Sequence, residues 1–427
     1  MRKCLIIGGG LAGLSTAVHL AKNNHRVELI EASPKLGGRA YSYFDRSLGL
    51  VVDNGQHLIM GCYHSTIEYL NIIGASSLLE YPPTLTALFN DGYNNYNLKV
   101  PSALPFPINL LTSVLLFKYL SISEKNRLVI FFIRLKTGLN NSEGGNAEDW
   151  LVSEGQSTPR LLEFWRLIGV SALNSEISSV SAIMFRKVLL EMFMKGTFES
   201  TLLVPKRGLT EVFINKAIEY LDERKGIIST GEKAVNCEFR NGKIENVLTS
   251  QRKIDDFDDV VLALPTYSPF LSQIIPPGSL DKYQYSTIIS VHINIKYTPK
   301  GHKFVGFFNS PIHWVFFHRD HISLVISAAG KLLELNSAEL LSIVRDELKM
   351  RLDISGIKSE DIRIIREKRA TYISSPELDV NRISQKTNYS NFFLAGDYTD
   401  TGLPSTIEGA ILSGKNAAGM VLNQSYQ

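Results

Sequence analysis

The chain has 427 residues, of which 44% are apolar and 20% charged, and a formal net charge of +3. That length favours two intertwined units over a single core, and the composition is that of a folded globular protein without a low-complexity tract. So small a charge, with no basic or acidic tail, gives no reason to expect a nucleic-acid partner; it is compatible with an anionic membrane surface.

The apolar run Cys4 to Leu20 has the look of a signal peptide, but Gly8, Gly9, Gly10 and Gly13 interrupt it. Residues 3–7 read as a short buried strand, Leu14 to Lys22 as a helix, and His25 to Glu31 as a second strand ending in an acid. Between the first strand and the helix, Gly8-Gly9-Gly10-Leu11-Ala12-Gly13 supplies the G-x-G-x-x-G turn of a dinucleotide-binding βαβ unit. Gly8 makes the tight turn, Gly10 admits a pyrophosphate to the backbone, and Gly13 lets helix and strand pack. Gly8, Gly10, Ala12 and Gly13 are therefore expected cofactor contacts, with Glu31 placed to accept hydrogen bonds from the adenosine ribose. Cys4, Cys62 and Cys237 form no C-x-x-C pair, so neither a metal site nor a redox dithiol is expected, and a reducing cytoplasm fits.

Glu31 leads through Pro34 into Gly37-Gly38-Arg39. Paired glycines let the chain pass close to a bulky ligand, and Arg39 is able to neutralise phosphate or reach a flavin. An acid followed by a GGR turn resembles the FAD-dependent amine oxidase and phytoene desaturase superfamily, which implies FAD as cofactor, held in part by Gly38 and Arg39. The fold implied is α/β: a Rossmann-like FAD-binding domain of glutathione-reductase type with an inserted α+β substrate domain.

Past residue 76 the chain turns helical and apolar. Pro101 to Pro107 carries three prolines and reads as a rigid connector. Asn109 to Leu120 and Leu128 to Lys136 are too short to span a bilayer, and each has basic residues at or near an end. They read either as segments docking in one leaflet or as core helices. Gly231 to Leu248 alternates like two strands around Asn241-Gly242. Asp258 to Pro265 resembles the superfamily strand ending "ALP" beside the cofactor, and Val235 matches the position whose backbone meets the adenine. Ser286 to Tyr297 and Trp314 to Ser327 read as strands of the substrate domain. Asn391 to Asp397 is an apolar strand ending in Gly396-Asp397, which the resemblance assigns to the ribityl or pyrophosphate region. A helix follows, running to Val421, with Thr406 and Ile407 at its start aimed at the flavin ring. The expected FAD domain is discontinuous, 1–75, 205–265 and 385–427, and the substrate domain takes 76–204 and 266–384.

Several segments outside these FAD elements are more specific. Asp53-Asn54-Gly55-Gln56-His57 and Asp397-Tyr398-Thr399-Asp400-Thr401-Gly402-Leu403-Pro404 resemble segments of the hydroxysqualene dehydroxylases, squalene-associated FAD-dependent desaturases. Trp150-Leu151, Gln156-Ser157, Trp165, Ala172-Leu173-Asn174 and Glu367 to Thr371 fit the same family. Tyr398 departs from it, since tryptophan is commoner there. The resemblance implies reduction of hydroxysqualene to squalene in hopanoid or triterpenoid precursor synthesis. The substrate would be a long isoprenoid with an allylic hydroxyl, which needs a general acid, a reduced flavin and a dry apolar tunnel. His57 is the first candidate acid, Asp400 and Glu408 are alternatives, and Gly55 and Gln56 are expected beside the flavin or substrate. A single G-x-G-x-x-G motif leaves the electron donor to a separate, unidentified partner. The expected location is cytoplasmic, peripheral on the inner membrane. A carotenoid or phytoene desaturase, a flavin amine oxidase and a non-enzymatic prenyl-chain carrier remain alternatives.

Overall fold

The computed structural model describes residues 2–140, 144–297, 299 and 301–424. Strand β1 (Lys3–Ile7), helix α1 (Leu11–Lys22) and strand β2 (Arg26–Glu31) form the opening βαβ unit. α1 starts three residues earlier than expected, because Gly10 already serves as its N-cap. A five-stranded parallel sheet is assembled in the order Ile227–Thr230, β2, β1, Asp259–Leu262, Phe392–Leu394. Three distant stretches of chain thus share one sheet, and the apolar runs of its inner strands match burial on both faces. The C-terminal helix Ile407–Gln424 lies against α1. A Cβ on Gly414 would fall 2.2 Å from the Ala12 carbonyl oxygen, so that close crossing requires glycine.

The hairpin Ala234–Arg240/Lys243–Thr249 turns at Asn241 and Gly242, both at positive φ. A second sheet has seven strands, in the order Ile362–Tyr372, Tyr285–Ile293, Ile322–Ile326, Trp314–Phe317, Phe304–Phe307, Thr86–Asn90, Asn95–Lys99. Its pairs are antiparallel except Phe304–Phe307 with Thr86–Asn90. The stretch Trp314 to Ser327, expected as one strand, is a hairpin instead. It breaks at His318 to His321, where the ring of His318 stacks on that of His321.

The apolar segments at 109–120 and 128–136 are helices Ile108–Leu116 and Ile122–Thr137. The second starts in a capping box, with the Ser121 hydroxyl accepting from the Glu124 amide and the Glu124 carboxylate accepting from the Ser121 amide. It ends at Gly138 in the left-handed region. No helix among the described residues is long and apolar enough to cross a membrane.

Candidate active site

After β1, Gly8 takes φ +111°, and a Cβ there would lie 2.4 Å from the Ala263 carbonyl oxygen. A Cβ on Gly13 would lie 1.9 Å from the Gly8 carbonyl oxygen, which is the expected close packing of helix on strand. Gly10 is different. Its Cβ would meet only Gly38 Cα, at 4.0 Å. The backbone there borders open space, and α1 brings it an N-terminus without a side-chain cap. Glu31 Oε2 accepts from the Gly9 amide and Oε1 from the Ser33 amide, both at 2.7 Å, so the acid braces this turn as well as facing the site.

Gly10, Ala12, Glu31, Gly38 and Arg39 line one end of a cavity of about 1190 Å³. From the far end of the chain, Gly396, Asp397, Thr406 and Ile407 line the same space. Arg39 joins the two contributions. Its Nη2 donates to Asp397 Oδ1 at 2.5 Å and its Nη1 to the Ala370 carbonyl at 2.9 Å. Burial works against the Arg39 charge, and the Asp397 carboxylate outweighs it, so the guanidinium stays protonated. Asp397 also accepts from Ser405 Oγ. Thr406 caps the last helix, its hydroxyl accepting from the Gly409 amide at 3.1 Å, and so sets the helix N-terminus at the cavity wall.

The segment 53–57 is tied down residue by residue. Asp53 Oδ1 accepts from Ser42 Oγ at 2.6 Å and from the Leu209 amide at 3.0 Å. Asn54 bridges the Arg39 carbonyl and the Tyr41 amide. Gly55, Gln56 and His57 then line the cavity. His57 Nδ1 lies 2.6 Å from the Gly55 carbonyl, which only accepts, so Nδ1 carries the proton and Nε2 is the free acceptor. Burial pushes the ring's pKa below its ordinary value against the smaller opposing pulls of Gly55 and Asp53. The acid role expected of His57 therefore meets a neutral ring at neutral pH, suited to accepting a hydrogen bond from a substrate hydroxyl rather than protonating it.

Beneath this segment lies a chain of histidines that the sequence reading missed. His292 Nε2 donates to the Asp53 carbonyl at 2.9 Å, which leaves its Nδ1 to accept from Ser323 Oγ at 2.8 Å. Ser323 Oγ in turn accepts from His318 Nε2 at 3.0 Å. His292 and His318 lie outside the FAD segments 205–265 and 385–427 and carry no sequence signal for this; strand register alone brings them under it.

Other expected contacts are placed elsewhere. Glu408 touches the cavity, but its carboxylate accepts from the Ser65 and Thr66 amides and the Thr66 hydroxyl at 2.7–2.9 Å. It caps the helix His64–Ile72, which has no side-chain cap of its own, and so it clamps two helices together. Asp400 is exposed, holds the Gly402 amide at 3.2 Å and is not part of the cavity lining. Val235 is also exposed and outside the lining; it is the extra residue of a bulge between Ala234 and Asn236. The ALP strand end does reach the cavity, through Ala263, Leu264 and Pro265.

Away from the glycine turns the walls become apolar, with Phe89, Leu111, Phe132, Phe164, Met192 and Trp314 among them. The residues present fit FAD at the first end. An uncapped helix terminus borders space that a Gly10 side chain would enter, an acid closes β2, and a part-buried ion pair joins two ends of the chain.

The chain matches the family described as flavin containing amine oxidoreductase over residues 11–280 and 326–422. It is 30% identical to a hydroxysqualene dehydroxylase of Zymomonas mobilis, over 98% of this chain and 99% of that protein. Its identity to a 15-cis-phytoene desaturase of Glycine max is lower, 23%, over 99% of this chain and 79% of that protein. A solved oxidoreductase from Methanosarcina mazei superposes with a TM-score of 0.77 at 16% identity, covering 98% of this chain and 100% of the other. FAD is the cofactor that this fold and family carry, and the site has the shape and donors to hold it. The chain belongs to the flavin containing amine oxidoreductases and, within them, to the hydroxysqualene dehydroxylase family.

Proposed function

We propose that the protein carries out FAD-dependent reductive dehydroxylation of hydroxysqualene to squalene. The observation that carries this reading is one continuous cavity with dinucleotide-binding turns at one end and apolar walls at the other, suited to a long hydrocarbon bearing one oxygen. When bound and reduced, FAD supplies the hydride that replaces the hydroxyl group. The apolar walls exclude water, which would otherwise capture an allylic cation. His57 Nε2 accepts the substrate's O–H and fixes the direction in which the oxygen points. The helix N-terminus at Ile407 faces the cavity and favours negative charge there.

Two helices suggest how the substrate arrives. Leu111, Val114 and Phe132 face the cavity, while Ile108, Leu115, Leu116, Ile122 and Ile130 of the same helices point outward, each more than half exposed. Lys118 and Lys125 stand beside them. Apolar side chains flanked by lysines suit a leaflet of anionic lipid, so the reading includes a protein peripheral to the cytoplasmic face of the inner membrane that draws its isoprenoid from the bilayer. Reducing equivalents come from a separate electron donor.

The test is anaerobic. Flavin is reduced in the purified protein, hydroxysqualene is added, and the absorbance of oxidised flavin should return as squalene accumulates. Flavin reduction by a polyene precursor, with no reoxidation by hydroxysqualene, would assign the chain to desaturation.

A further inference from the structure

Lys187 stands on the helix Ala182–Phe193 and lines the cavity. A Cβ built on Gly402 would lie 2.4 Å from Lys187 Nζ, which puts the ammonium against the turn whose Thr401, Leu403 and Pro404 share the cavity wall. The other lysines and the arginine of the lining are engaged. Arg39 holds Asp397 at 2.5 Å, Lys35 Nζ stands 3.0 Å over the Tyr41 ring, and Lys136 Nζ lies 5.0 Å over the Phe106 ring. One helical turn beyond Lys187, Glu191 also lines the cavity, but Lys195 holds it at 2.5 Å. Among the described residues Lys187 has no hydrogen-bond, ion-pair or ring partner. Its ammonium carries three donors. Half-buried at the edge of a largely apolar chamber, the ammonium is free to donate to an oxygen that a ligand brings.

We propose that Lys187 is the proton donor to the departing oxygen of the substrate. The proposal rests on the dehydroxylation reading above. The allylic C–O bond breaks with its electron pair passing to oxygen, and the oxygen takes a proton from Nζ and leaves as water. The carbon receives a hydride with its electron pair, at the cost of oxidising the reduced FAD to FAD. Lys187 regains its proton from solvent. In this arrangement the hydroxyl donates to neutral His57 and accepts from Lys187, so the acceptor and donor that the oxygen needs come from two different elements.

The test uses FAD-loaded wild type, Lys187→Met and Lys187→Arg. The first readout needs no turnover. With the flavin oxidised, wild type should bind hydroxysqualene more tightly than squalene, and Lys187→Met should lose roughly ten-fold or more of that preference, the worth of a hydrogen bond to a charged donor. Lys187→Arg should keep the preference, because it keeps charge and donors. The second readout is a single turnover of reduced flavin. Both variants should slow by ~10²–10⁴-fold, since a guanidinium donates hydrogen bonds but gives up a proton poorly. The acetate ester of hydroxysqualene, whose leaving group departs as a carboxylate, should react about equally in all three proteins. Wild-type rate and preference in Lys187→Met would overturn the assignment. If Lys187→Met sheds its FAD, Lys187→Arg decides, and full rate in that variant counts equally against the proposal. Failure of the wild type itself to reoxidise with hydroxysqualene removes the dehydroxylation reading, and the proton donor with it.

Discussion

Gly10 is the residue at which cofactor binding separates from folding. Around it, Gly8 and Gly13 are held by protein atoms, and any side chain there would collide with backbone at 2.4 and 1.9 Å. Gly10 itself sits in extended geometry, φ −72° and ψ 178°, which other residues adopt readily, and its missing side chain borders open space. Gly10→Val should therefore fold with a wild-type circular dichroism spectrum yet purify without flavin absorbance. Gly13→Val should instead lose the fold. A yellow Gly10→Val protein with a full complement of FAD would show that the pyrophosphate does not lie over this turn.

At the scale of elements, the helices Ile108–Leu116 and Ile122–Thr137 have two apolar faces, one on the cavity and one outward. A core helix would bury both. Leu115 and Leu116 are 54% and 65% exposed, so charged replacements meet little packing. Leu115→Asp with Leu116→Asp should keep FAD and thermal stability, and should lower co-sedimentation with anionic phospholipid vesicles several-fold. Unfolding of the double variant would mean that these side chains are part of the core. Vesicle binding that stays unchanged would place the membrane contact on another surface.

Across the whole molecule, buried histidines give stability a pH dependence. Burial pulls His292 down to about 4, with His321 adding to the effect, and pulls His313 and His318 down to about 3. A ring with pKa 6.5 in the unfolded chain binds more protons there than in the native state wherever the pH lies between the two values. Stability from these rings is thus complete above about pH 6.5 and is lost as the pH falls toward 4. At pH 5 the loss is about 2 kcal/mol for each ring, a large share of the ~5–15 kcal/mol typical of a folded domain. Asp53, whose carboxyl burial pushes up, works in the opposite sense. Melting temperature should fall steeply between pH 7 and pH 5, and a flat profile would contradict the neutral, hydrogen-bonded state of His292 and His318.

Sequence alone determined the parts governed by local geometry. The G-x-G-x-x-G turn, the GGR turn and the Asn241-Gly242 hairpin each depend on which residues tolerate a given backbone conformation, and that preference is written into neighbouring letters. Residues 53–57 and 396–407 were legible for a different reason, since their resemblance to known segments marks them out before any contact is known. Only the tertiary structure decided what the titratable groups do. Glu408 became a cap for a helix more than 300 residues away, Asp400 turned to solvent, and burial left His57 neutral. The placement of Lys187 against the Gly402 turn and the hydrogen bond from His292 to Asp53 likewise follow from packing between remote segments. Charge state and partner depend on burial and on groups brought close by the fold, and neither is encoded in the residues next door.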